Sequence, residues 1–315
     1  MEGASLSVFL PNCAELDART PYVILDCDER IIAVLVGMPV EGDSRAPEDR
    51  WEACIERIAQ RLEDLRTKNE KEFKSEHLKH RRGNYALLSA GISYGGGPKR
   101  PYNLSRGSKR RASMIDSLLG DQDVQRVIGF ENGTLAAYYP KAYLDMCKRL
   151  TSLYESQPEL KRNFSNSAYP TVSFNMGPET VTDLHNDCTN YPGLPCALTA
   201  LGSFNADLGG RLILSDLKLK IRFPSGATIL LPSAGLRHGN TAIQPGEKRY
   251  SITQYCIGAL MRWVHHGLRP ASGISASERA KLDADQWEAQ LSRLSKHGEL
   301  AADRKWLAQQ LAQVK

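Results

Sequence analysis

The spacing of apolar residues predicts a hairpin and a helix in the first third of the chain. Residues 22–37, YVILDCDERIIAVLVG, contain two β-rich runs around Asp-Cys-Asp, which is typical of a β-hairpin. From Pro47 onward, apolar residues recur at three- and four-residue steps, which predicts an amphipathic helix. Its apolar face consists of Trp51, Ile55, Ile58, Leu62 and Leu65. Residues 136–158 predict a second helix, with a face made of Tyr139, Tyr143, Met146, Leu150 and Leu153.

Strand patterns follow, and helical patterns return near the end of the chain. LKLKIRF (217–223) alternates strictly, as a half-buried strand does. ATILLP (227–232) and YSITQYCI (250–257) predict further strands, and PSG (224–226) predicts a turn between two of them. Beyond Pro270, Ser275 and Glu278 fit a capping box at the start of a helix, and a final helix is expected to end at Lys315. We therefore expect an α+β protein whose β-rich centre is flanked by helices.

Composition excludes several classes of protein. The hydrophobic fraction is 41% and the mean hydropathy is −0.40, which fits a folded globular chain. No apolar run approaches the roughly 18–20 residues of a transmembrane helix, so no membrane partner is expected. The beginning, MEGASLSVFLPNCAELD, lacks the basic and apolar regions of a secretory signal. The seven cysteines include no C-x-x-C pair, which favours reduced thiols in an intracellular compartment over a disulfide framework or a zinc knuckle.

One segment is exceptionally basic. No acidic residue lies between Glu76 and Asp116, and the net charge of +5 permits a polyanionic partner. The cationic residues of this segment are Lys79, Arg81, Arg82, Lys99, Arg100, Arg106, Lys109, Arg110 and Arg111. They fit either a solvated, mobile loop or a surface that contacts the phosphates of a nucleic acid. A nucleoside-triphosphate site is excluded, because the glycines at 95–97 lack the P-loop spacing.

The hexapeptide HNDCTN (185–190) carries the first half of a metal-binding pattern. On an extended strand, His185 and Asp187 point to the same face because they are two residues apart. A third ligand, His238, is available in LPSAGLRHGNTAI. Two histidines and one carboxylate form the facial triad of non-haem Fe(II) oxygenases, which leaves coordination positions for oxygen and a cosubstrate.

Arg249 and Ser251 supply what a 2-oxoglutarate cosubstrate needs. Arg249 lies eleven residues after His238, and Ser251 shares its face of the strand. A guanidinium binds a carboxylate in bidentate fashion and a serine hydroxyl adds a hydrogen bond, as the distal carboxylate of 2-oxoglutarate requires. A hydrolytic zinc site would leave both residues unexplained, and the G-x-S-x-G motif of a serine hydrolase is absent.

Three longer runs carry a resemblance to a known family. They are SAGISYGGGPKRPYNL (89–104), KRNFSNSAYPTVSFNMGPETVTDLHNDCTN (161–190) and GGRLILSDLKLKIRFPSGATILLPSAGLRHGNTAIQPGEKRYSITQY (209–255). The sequence resembles the TET/JBP-type 2-oxoglutarate/Fe(II)-dependent dioxygenases, in particular the branch expanded in mushroom-forming fungi. The resemblance implies a double-stranded β-helix (jelly roll) buttressed by helices on one side. A single domain (1–315) is expected, with an N-terminal hairpin and helix (1–80), an oxygenase core (81–265) and C-terminal helices packing on the core (271–315).

The resemblance also implies roles for individual residues. Fe(II) would be bound by His185, Asp187 and His238, and 2-oxoglutarate by Arg249 and Ser251. Asn190 would face the target base, although an asparagine that closes a turn is an alternative reading. The other expected substrate contacts are Asn103, Asn175, Lys99, Arg100, Lys109, Arg110 and Arg111. The cysteine-rich zinc-binding extension of the animal TET enzymes is absent, so the resemblance implies no second metal.

The expected substrate is a methylated base flipped out of double-stranded DNA. The resemblance favours 5-methylcytosine, with oxidation that can proceed beyond hydroxylation, and N6-methyladenine is a second candidate. Two other functions remain open: an oxygenase of the same fold that acts on a protein or a small molecule, and an inactive DNA-binding relative. A nuclear monomer is expected, and KRPYNLSRGSKRR (99–111) fits a localisation signal, a DNA contact or both.

Overall fold

Two facing β-sheets form the centre of the molecule in the computed structural model. The structure describes residues 14–42, 44–73, 78–80, 82–284 and 286–313, without the side chains of residues 79 and 80. The strands are β1 (Ala14–Asp17), β2 (Tyr22–Leu25), β3 (Ile31–Gly37), β4 (Lys79–His80), β5 (Gly83–Asn84), β6 (Leu87–Ser93), β7 (Tyr102–Asn103), β8 (Thr171–Asn175), β9 (Cys196–Ser203), β10 (Leu212–Leu214), β11 (Leu219–Arg222), β12 (Thr228–Leu231), β13 (His238–Asn240) and β14 (Lys248–Tyr255). The larger sheet has the order β2-β3-β12-β9-β14-β8-β6-β7, and the smaller has the order β1-β11-β10-β13.

The two sheets enclose a layer of apolar side chains, as a jelly roll does. Leu212, Leu214 and Ile221 of the smaller sheet pack against residues of the larger sheet such as Ile229 and Leu231. Strand pairing is antiparallel in both sheets except between β1 and β11, which are parallel. The predicted α+β class with a jelly-roll core is therefore confirmed.

Helices cover the outer face of the larger sheet. The helices are α1 (Trp51–Lys68), α2 (Lys109–Leu119), α3 (Gln122–Tyr138), α4 (Pro140–Ser156), α5 (Gly258–His265), α6 (Ala276–Asp283), α7 (Gln286–Leu291) and α8 (Leu300–Ala312). Ile58 and Leu62 of α1 pack with Tyr250 and Ile252 of β14, which alternate with residues that face the space between the sheets. None of the described helices is both long and apolar enough to cross a membrane.

The N-terminal predictions are confirmed in detail. β2 and β3 form the expected hairpin, in which Val23 lies opposite Val34, and β3 joins the larger sheet through β12. The helix predicted after Pro47 begins at Trp51, following a short 3-10 turn at Pro47–Asp49. The second predicted helix is α4, which begins at Pro140 instead of residue 136. Residues 136–138 end α3, a helix that the sequence pattern did not predict.

Two other predictions need small corrections. The strand expected over 217–223 starts at Leu219, because Ser215–Leu217 forms a 3-10 turn and Lys218 adopts a left-handed φ of 52°. Ser275 caps α6 as predicted, since its Oγ accepts a hydrogen bond from the Glu278 N–H at 3.2 Å. The Glu278 carboxylate pairs with Arg269 instead of returning to the cap. The expected helix end at Lys315 lies outside the described residues.

The C-terminal helices contact the helical layer beside the core. Lys141 of α4 pairs with Asp303 of α8 at 2.9 Å. Arg304 of α8 donates from Nε to the carbonyl oxygen of Ala137 at 2.6 Å. These contacts join α8 to α3 and α4, and the predicted division of the chain, with residues 271–315 packing on the core, stays a prediction.

Candidate metal centre and adjoining cleft

Main-chain hydrogen bonds bring the three predicted ligands together. The backbone N–H groups of His185 and His238 donate to each other's carbonyl oxygens, both at 2.9 Å. The N–H of Asp187 donates to the carbonyl oxygen of Ser233 at 2.9 Å. His185 Nε2 lies 3.5 Å from Asp187 Oδ1, and His238 Nε2 lies 3.9 Å from Asp187 Oδ2. Among the described residues these three form the one group whose geometry could hold a metal ion.

Both imidazole rings are oriented for metal binding by carbonyl oxygens. Nδ1 of His185 lies 2.8 Å from the oxygen of Asp183, and Nδ1 of His238 lies 2.8 Å from that of Leu236. A carbonyl oxygen only accepts, so each Nδ1 must carry the proton. In its neutral form each ring then presents an unprotonated Nε2 towards Asp187, which is the tautomer that a metal ligand needs.

The charges around the triad favour its metal-binding protonation state. Burial raises the pKa of Asp187, but His185, Arg82 and His238 outweigh it and lower the pKa to about 2. Burial and the neighbouring His185 lower the pKa of His238 to about 4. At neutral pH the carboxyl is therefore ionised and His238 is neutral, as metal coordination requires.

Arg82 belongs to this site, although its sequence context suggested a phosphate contact. Its guanidinium lies 2.7 Å from Asp187 Oδ1, and its carbonyl oxygen accepts a hydrogen bond from the Asp183 N–H at 2.9 Å. The pairing of residue 82 with residue 183 depends on the tertiary fold, and no local pattern in the sequence indicates it. Arg81 lies outside the described residues, and so does the side chain of Lys79.

Arg249 projects into the cavity between the sheets. It is 3% exposed, and one of its terminal nitrogens donates to the carbonyl oxygen of Thr180 at 2.9 Å. Burial lowers its pKa to about 10. No carboxylate of the described residues pairs with it, and its Nε has no hydrogen-bond partner among them. A buried cation without an anion costs several kcal/mol, so this position fits a bound carboxylate.

Ser251 and Asn175 line the same cavity as the triad and Arg249. They lie opposite each other on β14 and β8, and Asn175 Nδ2 donates to Ser251 Oγ at 2.7 Å. Because this bond uses a lone pair of the hydroxyl oxygen, the Ser251 proton is available to an acceptor in the cavity. The donors present fit Fe(II) at the triad and 2-oxoglutarate between it and Arg249.

Asn190 closes a turn and also contacts the triad. Its backbone N–H donates to the Asp187 carbonyl oxygen at 2.8 Å, so the turn-closing reading is confirmed. Its Nδ2 lies 3.1 Å from Ser233 Oγ, 3.2 Å from Cys196 Sγ and 3.4 Å from Asp187 Oδ2. Asn190 also lines a larger cleft of about 820 Å³ beside the triad cavity. Its contact with a base stays a prediction.

The remaining predicted substrate contacts lie away from the triad cavity. Asn103 ties β7 to the segment after α4, since it bonds the oxygen of Glu159 at 2.9 Å and the N–H of Lys161 at 2.8 Å. Lys99 and Arg100 are exposed in the loop between β6 and β7.

The basic segment is not one continuous loop, because it contains β6 and the start of α2. Lys109 is exposed at the first position of α2. Arg110 donates to Asn69 Oδ1 at 2.6 Å, and Arg111 donates to the carbonyl oxygens of Glu72 and Leu87, both at 2.9 Å. Both arginines thus support the packing of α2, and their contact with DNA stays a prediction.

Comparison with known proteins places the fold. The sequence matches no protein-family model and no curated protein. The fold is similar to that of NgTET1 in complex with 5mC DNA, with a TM-score of 0.52 and 15% identity over 78% of each chain. Lower similarity is found to the viral collagen prolyl hydroxylase vCPH from Paramecium Bursaria Chlorella virus-1 in its 2OG complex (TM-score 0.22, 19% identity, 28% of this chain and 57% of that chain). A 2OG-Fe(II) oxygenase family oxidoreductase from Burkholderia pseudomallei gives a TM-score of 0.27 at 14% identity, over 54% of this chain and 66% of that chain. The chain therefore has the fold of NgTET1, and the narrower fungal branch stays a prediction.

Proposed function

We propose that this protein is a 2-oxoglutarate/Fe(II)-dependent dioxygenase that oxidises a methylated base in DNA. The observation that carries the proposal is one cavity that joins a His-Asp-His triad to a buried arginine without an anionic partner among the described residues. A metal and a dicarboxylate together account for both features, whereas a metal alone would leave Arg249 unexplained.

Each residue of the cavity has a defined task in this function. His185, Asp187 and His238 hold the metal, Arg249 binds the distal carboxylate of 2-oxoglutarate, and Ser251 donates a hydrogen bond to it. Once bound, Fe(II) and 2-oxoglutarate supply the activation of dioxygen that oxidises a methyl group. The apolar layer between the sheets, which includes Leu212 and Leu231, keeps this chemistry away from bulk water.

The DNA substrate is supported by the fold shared with NgTET1, which was solved with 5mC DNA, and by the positive net charge. Lys99 and Arg100 supply exposed cations in the loop between β6 and β7, and the first residues of that loop, Tyr94 to Gly96, line the same cleft as Asn190. A base in a duplex must leave the stack to reach the triad. We favour 5-methylcytosine, and N6-methyladenine is the second candidate because its oxidised methyl group is lost as formaldehyde. Action as a monomer in the nucleus is part of the proposal.

Two measurements test this function in sequence. Anaerobic titration of the protein with Fe(II) and 2-oxoglutarate should produce a weak visible charge-transfer band, which Arg249→Leu should weaken and His185→Ala should abolish. Failure of the wild-type protein to give the band would refute the dioxygenase.

The second measurement is mass spectrometry of nucleosides after aerobic incubation with methylated duplexes. We expect oxidised 5-methylcytosine, or unmethylated adenine from N6-methyladenine, only when 2-oxoglutarate is present. A normal charge-transfer band with unchanged DNA would leave the dioxygenase in place and move the substrate to a protein or a small molecule.

A further inference from the structure

The cleft of about 820 Å³ beside the triad cavity has a volume suited to a nucleotide-sized ligand. Its inner end is formed by residues 93–96, at the end of β6, and by residues 188–192 after the ligand Asp187. Its outer wall is formed by α5 and α7. Thus helices that follow the β-core in sequence enclose one side of the space next to the candidate metal centre.

The cleft and the triad cavity share a wall. Asn190 lines the cleft, while its Nδ2 lies 3.4 Å from Asp187 Oδ2 on the side of the triad. The start of α5 is held close to this wall, because the Gly258 N–H donates to the Thr189 carbonyl oxygen at 2.8 Å. A Cβ added at Gly258 would lie 3.3 Å from the Asn190 carbonyl oxygen. A ligand at the inner end would therefore be one side chain away from the metal ligands.

The outer part of the cleft carries an unpaired cation. The ionic side chains of the lining are Arg149, Arg262, His265 and Asp283. Arg149 is held by Asp145 at 2.7 Å, and Asp283 lies 3.4 Å from His266 Nε2. Arg262 is exposed and pairs with no carboxylate in the part of the chain that the structure describes. Its position fits an anionic group of a ligand that enters the cleft.

α7 contributes a hydrogen-bond acceptor to the same wall. Gln290 Nε2 donates to the carbonyl oxygen of Gln286 at 3.0 Å. Gln290 Oε1 is buried and has no hydrogen-bond partner among the described residues. A buried amide oxygen without a donor destabilises the protein, and a ligand N–H or O–H group that donates to it would remove this cost.

We propose that this cleft binds a nucleotide of the DNA substrate, with a backbone phosphate on Arg262 and a donor group of the nucleotide on Gln290. A phosphodiester matches the guanidinium in charge and geometry, and sugar and base edges supply the donor. The inference rests on the proposed function, because it assumes that the substrate is a nucleic acid. It makes α5 and α7 part of the substrate site and Arg262 a substrate-binding residue.

The test compares variants in DNA binding under anaerobic conditions with Fe(II) and 2-oxoglutarate present. A fluorescently labelled duplex with one 5-methylcytosine is titrated at several salt concentrations. Arg262→Ala should weaken binding by roughly 3- to 10-fold near 0.1 M salt and reduce the salt slope by about 1. Lys148→Ala is the matched control, because it removes one exposed positive charge from α4 at a position outside the cleft lining.

A second variant fills the space without changing charge. Ala259 lines the cleft, and Ala259→Trp should weaken duplex binding while the charge-transfer band remains. Equal effects of Arg262→Ala and Lys148→Ala would refute the phosphate contact. Unchanged binding by a folded Ala259→Trp would refute the cleft as a binding site.

The two proposals fail in different ways. A wild-type protein that gives the band but binds no duplex would overturn the nucleic-acid substrate, and this cleft assignment with it. Duplex binding that depends on Arg262 in a protein without the band would support the cleft and refute the dioxygenase.

Discussion

Arg249 combines a cost for folding with a proposed task in binding the cosubstrate. Its guanidinium is buried, and no carboxylate of the described residues pairs with it. Arg249→Leu should therefore leave the melting temperature unchanged or raise it, because it removes a buried cation in exchange for an apolar side chain. The variant should lose the stabilisation by 2-oxoglutarate, which is about 2.7 kcal/mol in the wild-type protein at 100 times the Kd.

Thermal denaturation with and without 2-oxoglutarate, in the presence of Mn(II), measures both effects of Arg249→Leu. Arg279→Leu is the control, since Arg279 is exposed on α6 outside the cavity. A variant that is still stabilised by 2-oxoglutarate as strongly as the wild type would remove Arg249 from the cosubstrate site.

Asp187 and Asp183 differ in what they give to the metal centre. Asp187 offers its carboxylate, whereas Asp183 offers only its carbonyl oxygen, which orients His185. Asp187→Ala should weaken metal binding by at least about 100-fold, and Asp183→Ala should retain it because the carbonyl oxygen remains. Metal analysis after gel filtration distinguishes the two, and loss of metal from both variants would contradict the assigned roles.

The residues of the site differ in how far the sequence predicts them. Arg249 and Ser251 follow from a two-residue spacing, because strand parity puts both side chains on one face of β14. His185 and Asp187 were predicted from the same spacing, although His185 forms only an isolated bridge outside the named strands. His238 was predicted as the distant third ligand of the triad pattern and not from a short spacing. Arg82 did not follow, because its place beside Asp187 depends on a hydrogen bond between residues 82 and 183. Such long-range contacts leave no periodic trace in the sequence.

At the scale of elements, a buried carboxyl joins α3 to the larger sheet. Glu131 is fully buried, with Thr199 Oγ1 at 2.6 Å and Gln254 Nε2 at 2.7 Å. Burial raises its pKa to about 7, against the lowering effect of these two hydrogen bonds. The folded protein therefore keeps this proton up to about pH 7, while the unfolded chain releases it near the ordinary pKa of 4.5.

The contribution of Glu131 to stability should accordingly fall as the pH rises from about 4.5 to 7. This decrease in the free energy of unfolding is on the order of 3 kcal/mol, and Glu131→Gln should abolish it because glutamine does not titrate. The lowered pKa of His238 acts in the opposite direction between about pH 4 and 6.5, so the difference between wild type and variant isolates Glu131. Urea denaturation at pH 5 and pH 8 measures this difference, and an equal difference at both values would contradict the assignment.

The same residue shows why α3 was not predicted. Its sequence places Glu131 on the buried face and includes Gly129 and Gly133, which obscure the apolar period that identified α1 and α4. At β11 the error was smaller. The alternation of LKLKIRF begins at Leu217, but Leu217 belongs to a 3-10 turn and Lys218 is left-handed, so the strand begins two residues later than the pattern predicted. Patterns thus predicted elements with one apolar face and missed an element that buries a polar group.

At the scale of the whole molecule, the metal centre lies where one segment crosses between the sheets. Residues 176–187 leave β8 of the larger sheet. Their main chain forms a parallel bridge between Glu179 and Arg249, and an antiparallel bridge between His185 and His238 connects them to β13 of the smaller sheet. The sequence predicted the jelly roll and its ligands through local patterns and a family resemblance. It gave no indication of this crossing or of the cleft, because both depend on how the two sheets and the C-terminal helices are placed.

Metal binding should therefore stabilise the molecule unevenly. Because the ligands come from the crossing segment and from β13, a bound ion links the smaller sheet to the segment that leaves the larger sheet. Mn(II) should slow hydrogen exchange of amides in residues 183–190 and in β13, where opening requires release of the ion. Amides of α8, which packs on α3 and α4, should exchange at the same rate with and without Mn(II).

Hydrogen exchange with mass spectrometry measures both regions, and His185→Ala should abolish the protection. Equal protection of α8 and β13 would show instead that the ion stabilises the fold as one cooperative unit.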